Sequence, residues 1–213
     1  MRDLAPVTMA VMFPNVLVVH PSVQAQTLAD FVKLAQAKPG SINYGSSGIG
    51  GAGHLAGELF RMMAKVDIVH VPYKGGGPAV TDLLAGQVAA VFATPASAGQ
   101  HVKAGSCARS PSPARARSPS MPEVPTIAES GYPGLRGDQL VRVRRRGEDA
   151  ERASSSAWNR ELVKVLTTPR SATSCSSHGL EPQPGTREAL AKHMERGLAT
   201  WGRVVKAAGI TAN

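Results

Sequence analysis

Between Val16 and Ala93, short apolar runs alternate with amphipathic stretches, and this alternation restricts the chain to an α/β fold. Val16–His20 (VLVVH) has no polar break, the pattern of a strand buried on both faces. Thr27-Leu-Ala-Asp30 is a capping box, opening a helix that stops at Lys38-Pro39-Gly40. A strand over 41–45, a glycine-rich turn and a helix over 52–65 follow. Next come a strand over Asp67–Tyr73, the turn KGGG, and a short helix with Pro78 in its first turn and Gly86 as its stop. Gln87–Ala93 (QVAAVFA) is a fourth strand. Strands and helices in this order predict a mostly parallel sheet covered on both faces, with ligands held at the carboxyl ends of the strands.

The turn within Ser41–His54 (SINYGSSGIGGAGH) carries the most chemistry. It passes from strand to helix through glycines, so backbone N–H groups stand free beside the hydroxyls of Ser46 and Ser47. A helix N-terminus with free amides attracts anions, and the helix dipole adds to the attraction. A carboxylate or phosphate is the ligand this turn suits. The second strand-end turn, Tyr73-Lys74-Gly75-Gly76-Gly77-Pro78, faces the same rim; its amides and the Tyr73 hydroxyl would complete a polar site.

Other chemistries fit less well. Gly48-x-Gly50-x-x-Gly53 matches the dinucleotide fingerprint, but Tyr73-Lys74 stands where the acidic ribose partner belongs. An NADP-dependent oxidoreductase is therefore the runner-up, ranked below anion binding. No GK[ST] closes the turn as a P-loop requires, and Ser47 lacks the glycine of a nucleophile elbow. His20, His54 and His70 lack acidic partners at suitable spacing and read as packed or hydrogen-bonded side chains. No metal-ligand cluster stands out, and no cofactor is expected.

Composition narrows the class further. The net charge of +9 would suggest an acidic partner, yet half of the 24 basic residues lie between 106 and 178, outside the patterned region. Arg144-Arg145-Arg146 has no interleaved aromatic residue, so nucleic acid is not an expected partner. No 18-residue apolar run exists to span a membrane. The start, MRDLAPVTMAVMF, is not a signal peptide, having an acidic residue at position 3 and Pro6 in the apolar run. Cys107 and Cys175 sit in Ser/Arg-rich surroundings without a disulfide pattern.

In the last third, Asn159–Leu166 reads as a short helix. A second helix over Thr186–Ala208 places Leu190, Met194, Leu198, Trp201 and Val205 on one face before Gly209. Three stretches between the patterned parts do not read as native structure: Ser106–Arg117, Arg136–Ala157 and Arg170–Ser177. Ser106–Arg117 and about Arg136–Ala153 are expected to be poorly ordered or exposed and irregular.

NVLVVHPS, KPGSINYGSSGIGGAGHLAGELF, HVPYKGGGPAVTDLLAGQV, MPEVPTIAESGYPG and WGRVVKAAGI resemble the Bug-type (TctC-like) solute receptors of tripartite tricarboxylate transporters. The resemblance spans about residues 3–105, 118–135 and 178–213. It implies a two-lobed, periplasmic-binding-protein-like (type II) receptor for small carboxylated solutes, acting without chemistry, as a monomer, with the membrane components of the transporter as partners. Carried onto this chain, Ser46, Ser47, Gly48 and Gly50 would meet the ligand carboxylate, with Tyr73, Lys74 and Gly75 alongside and Thr94 on the cleft floor. The domains expected are a crossover segment at 1–15, a second lobe at 16–135 disrupted over 106–117, and a C-terminal remnant of the first lobe at 136–213.

The sequence departs from the family in three places. It opens at the crossover strand DLAPVT, so the start of the first lobe and a signal peptide are expected to lie outside it, and as written the chain would stay cytoplasmic although the family is periplasmic. Family strands resembling KLRALAVT and ETSWYG are missing where the odd segments stand. Frame-shifting accounts for this: codons chosen to encode KLRALAVT, read one base later, give SCARSPSP, identical to Ser106–Pro113. Comparable back-translations connect GDQLVR at 137–142 with ETSWYG, and RSATSC at 170–175 with EVRQAA. On this reading the cysteines and the arginine run have no function.

Overall fold

The computed structural model describes residues 4–109, 126–127, 129–132, 138–146 and 152–211. Its first elements are β1 (Leu4–Pro14), β2 (Val16–Val19), α1 (Leu28–Ala37), β3 (Ile42–Ser46) and α2 (Ala52–Ala64). Then come β4 (Ile68–Pro72), α3 (Gly76–Leu84), β5 (Ala90–Ala93), α4 (Pro95–Lys103) and β6 (Ala108–Arg109). The chain continues with β7 (Asp138–Arg146), α5 (Arg152–Leu166), α6 (Pro169–Ser177), β8 (Glu181–Pro182) and α7 (Arg187–Ala207). It divides into two compact units, Pro14–Asp138 with Val204–Asn213, and Met1–Phe13 with Gln139–Arg203.

The larger unit is built on a five-stranded sheet of order β4-β3-β5-β2-β6. β3 runs parallel to both β4 and β5, while β2 is antiparallel to β5 and to β6. The alternation of the sequence thus gives four strands and three helices over Val16–Ala93, in a mixed sheet. Side chains of β2 alternate between two cores, as a strand period of two requires. Leu17 and Val19 join Phe31, Phe60 and Phe92 beneath α1 and α2; Val16 and Val18 join Val80, Leu83 and Ala98 beneath α3 and α4. α1 starts as its capping box dictates: the Thr27 hydroxyl accepts from the Asp30 amide at 3.1 Å, and Asp30 accepts from the Thr27 amide at 3.0 Å. The Thr27 hydroxyl, donating to Oδ2 of Asp30 at 2.7 Å, and then the Thr27 amide hold the Asp30 carboxyl below the usual range. Ile127, fully buried, is part of the first core.

In the smaller unit, β1 lies between β7 and β8. The buried Thr8 hydroxyl donates to the Gly185 carbonyl at 3.0 Å, and the Asn159 amide group donates to the carbonyls of Val7 and Gly185, each at 2.8 Å. These bonds tie β1 to α5 and to the segment that precedes α7.

The structure corrects the reading of the three unpatterned stretches. Cys107, 3% exposed, belongs to the second core, and Ala108–Arg109 pairs with Val19 and Val18 as an edge strand; 110–117 lie outside the described residues. Asp138–Arg146 is an edge strand, and α5 begins at Arg152 instead of Asn159. Ladder bonds come from the backbone, so a charge-dense sequence can pair where one side of the strand has no neighbour. Arg170–Ser177 is helical because its ends are well specified rather than because one face is apolar. The Thr168 hydroxyl accepts from the Ser171 amide at 3.3 Å, and Pro169 opens the first turn. At the other end, Gly179 at φ 70° lets its amide reach Ser176 and the Leu180 amide reach Cys175, a Schellman closure. None of its residues is buried.

Two more expectations change. On α7 the buried side chains are Leu190, Met194 and Val204, while Leu198 is 58% exposed. Spacing by four drifts off a helix with 3.6 residues per turn, which returns to one face at 190, 194, 201 and 204. The C-terminal remnant expected over 136–213 also ends earlier. Residues from Val204 onward cluster with the larger unit, where Ala208–Thr211 line a depression beside α2 and β4.

Candidate functional site

Because β3, β4 and β5 run parallel, their carboxyl ends share one edge of the sheet, and each is followed by a helix that begins there. The two glycine-rich turns and Thr94 therefore meet on one rim, as the sequence led us to expect for ligands of parallel sheets.

The first turn is set by Ser46. This residue is fully buried, and its hydroxyl is used within the turn. It donates to the Gly48 carbonyl at 3.1 Å, accepts from the Gly48 amide at 3.3 Å, and lies 2.7 Å from Nε2 of His70. Ser47 and Gly50 are exposed, and Gly48 is half-buried. Gly48 adopts φ 140°, a region open to glycine, and a Cβ there would stand 3.5 Å from the carbonyl oxygen of Tyr73. Gly51 is the N-cap of α2 and supplies no side-chain cap.

The second turn is joined to the first through the Tyr73 amide, which donates to the Ser46 carbonyl at 3.0 Å. Its hydroxyl donates to Oδ2 of Asp82 on α3 at 2.8 Å; burial and this bond push the phenol up to about 12. Tyr73 thus braces α3 with the hydroxyl expected from sequence to face a ligand. Lys74 is exposed, and Gly75, at φ 119°, is the N-cap of α3, again without a side-chain cap. The third helix differs. Thr94 and Ser97 form a capping box at the start of α4, each side chain accepting from the other's amide at 3.2 Å. Gly76 packs on that cap, since a Cβ there would stand 3.2 Å from the Ser97 hydroxyl. Of three helix N-termini on the rim, two are left without side-chain caps and the third is closed by its own residues.

Behind the first turn lies a polar cluster, formed by residues whose sequence spacing suggests separately packed side chains. The rings of His54 and His70 stack with centroids 3.8 Å apart and planes 11° from parallel. The Gly50 amide donates to Nδ1 of His54 at 3.0 Å. The Tyr44 hydroxyl donates to Glu58 at 2.9 Å, and Glu58 also pairs with Arg61 at 2.8 Å. Burial lowers both imidazoles, to about 4 for His70, where the neighbouring His54 adds to the effect. Burial and the facing Glu58 raise the Tyr44 phenol. Glu58 at one helical turn from His54 was the available signal, but its pairing with Tyr44 depends on β3 packing under α2. Among the described residues no group of three His, Cys, Asp or Glu is placed to hold a metal, and no helix is long and apolar enough to cross a membrane.

Solved structures share this fold. The structure of R. palustris Rpa4515 with adipate superposes with a TM-score of 0.90 at 30% identity, over 98% of this chain and 70% of the other. MatC from Rhodopseudomonas palustris, with bound malate, shares the fold at a TM-score of 0.85 and 22% identity, over 95% of this chain and 69% of that one. The model of the tripartite tricarboxylate transporter family receptor, TctC, matches residues 1–210, and the chain belongs to that family. Among curated relatives, the UPF0065 protein in the tcbD-tcbE intergenic region of Pseudomonas sp. strain P51 is 31% identical over 100% of this chain and 63% of its own length. Protein BugT of Bordetella pertussis is 30% identical over 98% of the chain and 64% of its own length. The chain thus spans a little under two thirds of these relatives. The oxidoreductase alternative finds no support: Gly48–Gly53 does follow a strand and open a helix, but the family is one of receptors and the sheet is mixed, with β2 antiparallel.

Proposed function

We propose that this chain is the binding part of an extracytoplasmic receptor that holds a small carboxylated solute for a tripartite tricarboxylate transporter, whose membrane components are its partners. The observation that carries the reading is the pair of uncapped N-termini, α2 and α3, brought to one rim by the Tyr73–Ser46 backbone bond. Amides at such termini and the helix dipoles supply oriented positive charge, which a carboxylate meets without any bond being made or broken. The contacts we assign are the turn at Ser47, Gly48 and Gly50, with Lys74 and Gly75 alongside. The Gly48 and Gly50 amides already donate to Ser46 and His54, so this turn offers the ligand its other groups and the first-turn amides of α2. Ser46, Tyr73 and Thr94 act by fixing the three turns. Family membership and the adipate in the Rpa4515 structure support the solute class.

Thermal unfolding with added ligands tests the reading. A ligand that binds only the folded chain stabilises it by about 2.7 kcal/mol at a hundred times its Kd. Adipate or another small carboxylate in a panel of mono-, di- and tricarboxylates should raise the Tm with concentration, and NADPH should not. A shift with NADPH and none with any carboxylate would overturn it.

A further inference from the structure

We infer that His54 and His70 are positioning residues: stacked and uncharged, they hold the glycine turn in its ligand-receiving shape, and protonation of His54 releases it. This rests on the assignment of the turn as the carboxylate seat.

The argument begins with the direction of one hydrogen bond. A backbone N–H can only donate, so Gly50 fixes Nδ1 of His54 as an acceptor, 3.0 Å away. His54 is therefore the neutral tautomer with its proton on Nε2. A proton added to Nδ1 would oppose the Gly50 N–H, and that bond must break. The bond from His70 to the turn is more tolerant, because Nε2 of His70 can donate to Ser46 while the Ser46 hydroxyl donates to the Gly48 carbonyl. The two imidazoles thus hold the turn at two points, Gly50 from α2 and Ser46 from β4. Their stacking at 3.8 Å couples the points, since two imidazolium rings at that distance repel.

The surroundings favour the neutral pair while leaving protons access. On α2 the charged groups near it are Glu58 and Arg61, themselves paired; on β3 the Tyr44 ring lies 5.0 Å from His70; Asp67 precedes β4. The 208–211 segment brings no titratable side chain. Both rings line an open depression of about 450 Å³ shared with Ile49, Glu58, Arg61 and Asp67, so solvent reaches their edges. Burial disfavours charge on both rings; at His54 it outweighs the opposite pull of Glu58, with Arg61 adding to it, and at His70 a charged His54 adds to it.

The test follows the glycine amides and the imidazole nitrogens by NMR in the chain without ligand, between pH 7.5 and 4, in wild type, His54→Asn and His54→Leu. Asparagine keeps an acceptor where Nδ1 stood and does not titrate. The Gly48, Gly50 and Gly51 amides should shift along the His54 titration in wild type, keep their neutral-pH positions in His54→Asn, and be displaced at every pH in His54→Leu. Adipate is then titrated into the first two. Protonation of adipate itself lowers its affinity in both proteins as pH falls; below the His54 midpoint the wild-type affinity should drop about a further tenfold per pH unit relative to His54→Asn. Glycine amides that ignore the His54 titration, or a His54→Asn chain that keeps the wild-type pH dependence, would overturn the inference. If the amides follow His54 but no adipate or other carboxylate disturbs them at pH 7.5, control of the turn stands and the seat assignment falls.

Discussion

A Cβ placed on Gly53 would stand 2.7 Å from the carbonyl oxygen of Phe92, so the first turn of α2 lies directly on β5. The contact is with backbone, which cannot swing aside, and it sets how close the glycine turn comes to the end of β5.

Gly53→Ala should therefore destabilise the larger unit by about 1–3 kcal/mol, the usual cost of overpacking. Gly99→Ala is the control. Gly99 lies inside α4 with nothing within 4 Å of its added Cβ, so helix propensity alone predicts no loss or a gain of up to about 1 kcal/mol. Urea unfolding of the two variants beside wild type measures both.

Thr27 and Thr94 cap their helices in the same way, and replacing either by alanine should cost about 1 kcal/mol in the same assay. Their effects on binding should differ. Thr27→Ala is expected to leave carboxylate affinity unchanged, whereas Thr94→Ala should weaken it, because the Ser97 cap supports the first turn of α3 at Gly76. Calorimetry with adipate separates the two.

Stability should fall on mild acidification. The His70 imidazole is held at about 4 in the fold, against about 6.5 in an unfolded chain. Between those values the unfolded chain binds the extra proton, so stability rises with pH from about 4 to 6.5 and levels off above. The urea midpoint should accordingly drop from pH 7 to pH 5, and drop less in His70→Gln. Equal drops in the two proteins would count against the assignment.

Much of the larger unit was legible because its signals are local and periodic. VLVVH reads as a doubly buried strand, and Thr27–Asp30 marks a helix start without any tertiary information. The orientation of β2 was not legible, since an apolar run looks the same in a parallel and an antiparallel pairing. Asp138–Arg146 and Pro169–Ser177 were missed for a related reason. Their structure depends on backbone pairing at a sheet edge and on end caps, and neither requires hydrophobic periodicity. At the site, the glycines identified the rim, but the side chains did not declare their direction. Ser46 and Tyr73 carry hydroxyls that suit a ligand, and each turns inward to His70 and Asp82 because the neighbouring element supplies a partner.

A carboxylate seated where the two glycine turns meet must disturb the amides of both turns. Adipate titrated into the isotope-labelled chain should shift the backbone amides of Ser47–Gly51 and Gly75–Gly77 first and furthest. Gly48→Val, which forces a branched side chain onto a φ of 140° beside the Tyr73 carbonyl, should abolish those shifts while the core signals of β2 and β5 keep their positions. Saturable shifts confined to other parts of the chain, or unchanged shifts in Gly48→Val, would contradict the account.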